Sequence, residues 1–370
     1  MIDSIEIRNY RNLNELKINS LAHVNLITGK NNAGKSSLLE AVAINAQNGS
    51  IAILDAIIRH RGEYFIDESK KNLLENKIKC YSSLFTGRIA DYKSEGSISI
   101  NTVDTKQRSN NPISIRLIKY YYTDLNDQYP HGLRQTKIIE DDKSERLTVG
   151  FNVGLEVKYN GHSTIIPFDK DPYSNIMLPL FDSKACQFIR SYDFDVSGIA
   201  ALWDNITLTD KENSVIEALR VIEPRIDRIA FIQEYTTERT CVIKLLNEKS
   251  VFPIRSMGDG INRVLTIILA MVNSENGYFL IDEFENGLHH SVQRKLWDII
   301  FKLSERLNVQ VFATTHSEDS IYSFQQVLNE RENKTDGKLI RLENKKGRIV
   351  ETEFDSESLQ VIAKANIEIR

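Results

Sequence analysis

The stretch Gly29-Lys30-Asn31-Asn32-Ala33-Gly34-Lys35-Ser36-Ser37 decides the reading of this chain. The apolar run Val24 to Ile27 precedes it, and Leu38, Leu39, Val42, Ala43 and Ala46 follow at helical spacing. These flanks predict a buried strand, a glycine loop and a helix. The loop matches G-x-x-x-x-G-K-S, the pattern that cradles phosphate. Gly29 and Gly34 let the backbone curl so that successive N–H groups converge on phosphate oxygens at a helix N-terminus. Lys30, Asn31, Asn32, Ala33 and Ser37 complete the expected nucleotide-binding loop. Lys35 can reach the β- and γ-phosphates, and the Ser36 hydroxyl can ligate Mg²⁺. ATP and Mg²⁺ are therefore the expected substrate and cofactor.

Working outward, the last third supplies matching parts. Gly277-Tyr278-Phe279-Leu280-Ile281-Asp282-Glu283 reads as an apolar strand ending in two acids. Asp282 fits the second magnesium position, and Glu283 is placed to polarise an attacking water. Asn286-Gly287-Leu288-His289 predicts a turn. The helix after it carries Val292, Leu296, Ile299, Ile300, Leu303 and Leu307 on one face. A further strand, Val309 to Ala313, runs into Thr314-Thr315-His316-Ser317, where His316 can sense or stabilise the γ-phosphate. Lys35, Glu283 and His316 are thus the catalytic candidates, and Ser36 with Asp282 the metal ligands.

Upstream lies Arg255-Ser256-Met257-Gly258-Asp259-Gly260, followed by an apolar helix with Ile261, Val264, Leu265, Ile268 and Leu269. Small residues at a helix start offer N–H groups and a hydroxyl to phosphate. A chain with one complete phosphate loop does not need a second, so Ser256 and Gly258 are expected to serve a partner subunit's γ-phosphate.

The chain has 370 residues, with 47 basic and 51 acidic side chains and a formal charge of −4. Such a length allows about two to three domains, or one with a large insertion. Near-neutral charge argues against a general nucleic-acid coat but leaves a local patch open. The best apolar run, Val264 to Val272, contains Thr266 and falls well short of the ~20 residues that span a bilayer. No membrane partner is expected, and no signal-peptide pattern opens the sequence. Cys80, Cys186 and Cys241 are too scattered for a disulfide framework or a zinc site. The cytoplasm is the expected compartment.

The order of P-loop, Ser-x-Gly-x-Gly, Leu-Ile-Asp-Glu, turn and Thr-His-Ser resembles ABC-type ATPase heads. The opening Ile2, Ile5, Ile7 and Leu13, Leu16, Ile18 predict two short strands around Arg8-Asn9-Tyr10-Arg11-Asn12. That feature is similar to the SMC/RecF branch rather than to transporter subunits. Ser256-Met257-Gly258-Asp259-Gly260 with Asn262-Arg263, and Asp282-Glu283-Phe284-Glu285-Asn286-Gly287-Leu288-His289, resemble the AAA/ABC ATPases related to the OLD family. Many of those serve in bacterial phage defence. The likeness covers residues 1–50 and 220–370, and the middle more loosely. It implies an α/β fold, an ABC-type P-loop head with an antiparallel β lobe and an inserted α-helical subdomain. It also implies Arg11 among the nucleotide-binding residues. The OLD nucleases carry a C-terminal TOPRIM domain, and the residues after His316 are expected to be too few for one.

The middle is read more coarsely. Residues 1–50 and 226–370 are expected to form the head, with 51–225 as an insertion of helical and antiparallel elements. A helix is predicted over Ile51 to Ile58, and residues 59–90 hold seven basic against four acidic side chains, read as a solvated face. Alternating runs at Ser97–Asn101, Ile113–Tyr122 and Phe151–Tyr159 predict the antiparallel lobe, with Tyr120-Tyr121-Tyr122 as half-buried strand. Thr209-x-x-Glu212 is a capping box opening a helix that Pro224 ends. Asp169/Asp171 and Asp193/Asp195 lack the companion motif of a nuclease metal site. Gln107, Gln128 and Gln187 are all open as the Q-loop glutamine, and so is none of them. No heptad segment supports a coiled-coil arm.

Together these readings describe a cytoplasmic ATPase that forms a homodimer or higher oligomer. The resemblance further implies control of a separately encoded effector, a nuclease or toxin, in response to a phage-derived or DNA cue. A RecF-like repair ATPase is the alternative. Its family favours Asp-Asp and Leu-Asp where this chain has Asp282-Glu283 and Leu288-His289. A transporter subunit is a second rival, disfavoured by the opening strands and the signature.

Overall fold

The computed structural model describes residues 1–64, 73–90, 96–104, 109–124, 134–139, 151–169, 183–191, 196–233, 239–355 and 358. In chain order the first elements are β1 (Ser4–Tyr10), β2 (Leu13–Ile18), β3 (Val24–Thr28), α1 (Lys35–Ala46), α2 (Ile51–His60) and α3 (Leu73–Ser82). Then come β4 (Ile98–Asp104), β5 (Ser109–Asp124), β6 (Arg134–Ile139), β7 (Asn152–Tyr159), β8 (His162–Pro167) and β9 (Cys186–Ile189). Helices α4 (Val196–Asp204) and α5 (Asp210–Ile222) lead to β10 (Ile226–Gln233), β11 (Arg239–Leu245) and β12 (Val251–Pro253). The chain continues through α6 (Asp259–Val272), β13 (Tyr278–Ile281), α7 (His290–Leu307), β14 (Gln310–Thr314) and α8 (Glu318–Glu330), and closes with β15 (Gly337–Lys345) and β16 (Arg348–Phe354).

These elements form three sheets. The central one has the order β16-β15-β3-β14-β13-β9, parallel from β15 through β9. Strands β3, β13 and β14 are buried along their whole lengths, which is why they read as continuous apolar runs rather than alternating ones. The parallel pairing puts the C-terminal ends of β3, β13 and β14 side by side. In open parallel sheets that edge is where ligands bind. A second sheet runs β2-β1-β4-β5-β7-β8 and is antiparallel, with β6 on β5. Its alternating burial, as in β4, marks a sheet with one face on the core. The third sheet is the antiparallel β10-β11-β12. The architecture is the mixed α/β head with an antiparallel lobe that the sequence implies.

Two apolar cores flank the central sheet. Leu38, Val42 and Ile44 of α1 share one with the antiparallel lobe, together with Tyr278, Leu280 and Phe312 from one face of the sheet. Phe279, Ile281, Val311 and Ala313 from the other face pack with α4 to α8 in the second core. Alternate residues of β13 thus enter opposite cores, as strand geometry requires. Burying side chains such as Leu or Phe contributes about 1.5–3 kcal/mol each, so each core anchors the loop it carries.

The 51–225 span is not a body separate from the head. β4 pairs with β1 in the register Ile7↔Ile100, so the lobe is closed between the N-terminal strands and the middle. Four residues of the same span, Cys186–Ile189, form the edge strand of the central sheet beside β13. A strand that short gives little periodicity, and its identity comes from its long-range partner.

Other details follow local chemistry. Tyr120 is fully buried, and its hydroxyl donates to Asp169 at 2.9 Å. The Thr209 hydroxyl accepts from Lys211 N–H at 3.3 Å, whereas Glu212 reaches back to Leu208 N–H rather than to Thr209 itself. Asp171, Asp193, Asp195, Gln107 and Gln128 lie outside the described residues. Gln187 sits inside β9, opposite Phe279, not at the strand's C-terminal end.

Candidate functional site

The loop between β3 and α1 has the backbone that its glycines permit. Gly34 adopts φ 89° at the N-terminus of α1, and an added Cβ would lie 2.7 Å from the Leu13 side chain. Gly29 adopts φ 143°, and a Cβ there would collide with the Leu342 carbonyl oxygen. Both positions therefore exclude side chains for conformational and steric reasons. Lys30, Asn31 and Asn32 are exposed along the loop, whereas Ala33, Lys35 and Ser37 are buried. The Lys35 ammonium donates to the carbonyls of Gly29 at 2.7 Å and Lys30 at 3.0 Å.

Sequence-distant groups converge on this loop. The Ser36 hydroxyl donates to Asp282 Oδ2 at 2.8 Å. His316 Nδ1 lies 3.4 Å from Lys35 Nζ. Thus the serine, lysine, aspartate and histidine singled out by sequence meet at the C-terminal edge of the central sheet. Hydroxyl and carboxylate oxygens are the donors a small hard cation such as Mg²⁺ takes, with substrate phosphates completing its shell. Among the described residues no group of three or more His, Cys, Asp or Glu could hold a metal alone.

The two acids are held differently. The Thr314 hydroxyl donates to Asp282 Oδ1, and the Thr314 Oγ1 in turn accepts the Glu283 backbone N–H at 2.9 Å. Glu283 occupies φ 52°, an uncommon left-handed conformation for a residue with a side chain. Phe284 fixes the following turn: its N–H donates to Thr314 O at 2.9 Å, and its ring stacks on Trp297 at 4.0 Å. Local backbone strain of this kind persists where the surroundings over-determine it, and it clusters at functional sites.

Electrostatics sharpen the site. Burial lowers the Lys35 pKa to about 8, and the carboxylates of Asp282, Glu283 and Glu285 pull the other way. Burial and then the nearby Lys35 charge lower the His316 pKa as well. At neutral pH the pair is thus a charged lysine beside a neutral imidazole. The imidazole can donate or accept a hydrogen bond without adding a second full charge.

One residue expected here has other partners, and its neighbour takes the place beside the loop. The Arg11 guanidinium, expected to bind nucleotide, is ion-paired with Glu40 and Glu63, each at 3.0 Å. Glu40 lies on α1 and is almost fully buried, and it also accepts from Tyr10 Oη and Arg61 Nε. Arg11 therefore braces α1 against the β1–β2 corner. Its neighbour Asn12 touches the loop instead: Nδ2 donates to Asn32 O at 3.1 Å, and Oδ1 accepts from Ser37 Oγ at 2.9 Å. Asn12 and Thr314 lie inside the motif stretches, but neither residue type nor spacing marks these contacts.

Ser256 and Gly258 stand at the start of α6, both exposed, and the Ser256 hydroxyl donates to Pro253 O at 2.7 Å. A Cβ on Gly260 would meet Gly287 O at 3.7 Å, so the turn after the two acids abuts the start of α6. Signature and turn form one continuous stretch of surface.

Comparison with known proteins gives a consistent picture. The family described as "AAA domain, putative AbiEii toxin, Type IV TA system" matches residues 24–321. A Helicobacter pylori protein named ATP/GTP phosphatase is 27% identical over 387 aligned positions, covering 97% of each chain. A Methanocaldococcus jannaschii protein is 48% identical over 69 positions, covering 17% of this chain and 32% of that one. Among solved structures, an SMC head bound to the C-terminal winged-helix domain of ScpA superposes with TM-score 0.54 and 12% identity, over 98% of this chain and 99% of that one. An SMC head with an extended coiled coil, bound to the C-terminal domain of ScpA derived from Pyrococcus furiosus, gives TM-score 0.51 and 11% identity over 100% of both chains. At those identities the likeness shows the fold alone. No helix among the described residues is long and apolar enough to cross a membrane.

Proposed function

The chain belongs to this AAA family and is an ATPase, and on that premise we propose that the site at Lys35 hydrolyses ATP with Mg²⁺ once a second copy closes over it. The observation that carries the proposal is the convergence of Ser36 on Asp282 and of Lys35 on His316, from segments far apart in sequence. The loop Gly29–Ser37 grips the phosphates through backbone N–H groups, and Lys35 neutralises the terminal ones. Ser36 and Asp282 would hold Mg²⁺, which would neutralise charge developing on the transferred phosphoryl group. Glu283 accepts a proton from the attacking water, and His316 donates a hydrogen bond to the γ-phosphate. Ser256 and Gly258 complete the partner's site in trans, a role their exposure supports. The name of the Helicobacter pylori relative adds GTP as a second substrate to test.

The biological reading is finer. The family description, with its toxin and toxin–antitoxin terms, supports a role in controlling a toxic activity. Together with the OLD-like motifs it supports an ATPase of bacterial phage defence that senses a cue and restrains or releases a separately encoded nuclease or toxin. Trans completion is tested by mixing a Ser256→Arg protein with a Lys35→Ala protein, each inactive alone. Mixed dimers contain one intact composite site, so about a quarter of wild-type turnover returns if subunits exchange freely. No recovery, or full activity of the Ser256→Arg protein alone, contradicts the composite site. Phage plating on cells carrying the gene with and without its neighbours tests the defence role.

A further inference from the structure

We propose that Glu285 is a positioning residue, a carboxylate clamp that sets the backbone of His316 and so aims its imidazole. The inference rests on the reading of His316 as the γ-phosphate contact. Both carboxylate oxygens of Glu285 are committed to one short segment. Oε1 accepts the His316 backbone N–H at 2.7 Å, and Oε2 accepts the Thr315 hydroxyl at 2.8 Å. The Thr315 oxygen in turn accepts the Ser317 N–H at 3.0 Å. Three consecutive residues at the end of β14 are therefore tied, directly or through one hydroxyl, to a single side chain. A carboxylate accepting from N–H and O–H groups makes stronger bonds than a neutral acceptor does.

The clamp is itself anchored on both sides. Phe284 is buried and stacked on Trp297, and Asn286 Nδ2 donates to Ser191 O at 2.9 Å, beyond the end of β9. Capping of α7 does not account for Glu285, because His289 supplies that cap through Ser291 N–H. Nor does it share the bonds that hold the other acids, since Thr314 serves Asp282 and Glu283. Adjacent threonines thus divide the work. Thr314 orients the metal-binding acid, and Thr315 with Glu285 orients the histidine.

The experiment compares steady-state ATP turnover and nucleotide affinity in Glu285→Ala, Glu285→Gln, His316→Ala and Glu285→Ala/His316→Ala proteins. Misplacing a catalytic group by about 1 Å can cost on the order of 100-fold in rate, so Glu285→Ala should lower kcat by about 10- to 100-fold. KM and the affinity for a non-hydrolysable ATP analogue should stay within about threefold, because the clamp does not touch the phosphate loop. In Glu285→Gln the amide oxygen can accept from His316 N–H and the amide nitrogen can donate to Thr315, so most of the turnover should return. The double variant should be no slower than His316→Ala. Undiminished kcat in Glu285→Ala, or a double variant slower than His316→Ala by the full factor of the single change, overturns the clamp. Should Glu285→Ala fail to melt cooperatively, Thr315→Val replaces it, with the same required lack of additivity with His316→Ala. Full turnover of His316→Ala would instead overturn the reading of the histidine, which separates the two failures.

Discussion

Ser36 and Asp282 meet at 2.8 Å although 246 positions of sequence separate them. The contact joins the first turn of α1 to the end of β13, and β14 lies between β3 and β13 in the sheet. On the proposed reading, these two oxygens beside a buried lysine would start a cation site that a triphosphate completes. Asp282→Asn keeps the hydrogen bond to Ser36 within reach but removes the charge. We expect turnover to fall by about 100-fold or more, with nucleotide affinity in the absence of Mg²⁺ little changed. Measuring ATPase rate against Mg²⁺ concentration checks this. An unchanged Mg²⁺ dependence would remove Asp282 from the metal site.

The lowered Lys35 pKa gives a pH dependence with a definite sign. In the free protein the ammonium loses its proton as pH rises through about 8. Bound phosphate favours the charged form, so binding must take up a proton above that pH. The Kd for a non-hydrolysable ATP analogue should be flat from pH 6.5 to 7.5 and then rise by up to about tenfold per pH unit. Isothermal titration in two buffers of different ionisation enthalpy would also record the proton uptake. A flat Kd to pH 9.5 contradicts the assignment.

Glu40 makes a stability prediction. It is the shared partner of Arg11, Arg61 and Tyr10 and is itself almost fully buried. Glu40→Ala leaves the Arg11 side chain, only 9% exposed, with Glu63 as its remaining acidic partner. Removing one member of a buried ion pair costs about 3–5 kcal/mol, and the surviving Glu63 contact should keep the loss near the lower end. Urea unfolding should show a reduced midpoint. An unchanged midpoint would mean that the network contributes nothing.

Much of the candidate site is legible in the sequence because its signals are local. Gly29 and Gly34 at fixed spacing, with a strand before and a helix after, specify a loop that few other sequences adopt. The apolar run into Asp282-Glu283 specifies the opposing strand in the same way. What escapes local reading are residues whose work is set by distant partners. Arg11 has the chemistry of a phosphate ligand, but Glu40 and Glu63 arrive from later segments and pair with it. Glu285 and Thr314 look like ordinary turn and strand residues until β14 is laid beside β13. The edge strand Cys186–Ile189 is hidden because four residues carry almost no periodicity, and only its pairing with Tyr278–Ile281 places it in the ATPase sheet.

Under the proposed mechanism Glu283 is the base for ATP hydrolysis, while the phosphate loop binds nucleotide independently of it. The most direct measurement follows a Glu283→Gln protein, whose neutral amide is a far weaker base than a carboxylate. Bound nucleotide is analysed after rapid gel filtration, and mass is determined by light scattering with and without ATP and Mg²⁺. We expect intact ATP retained on the protein, turnover reduced by at least about 100-fold, and a shift to twice the monomer mass only when ATP is present. ATP hydrolysis at the wild-type rate by this variant would show that Glu283 is not the base.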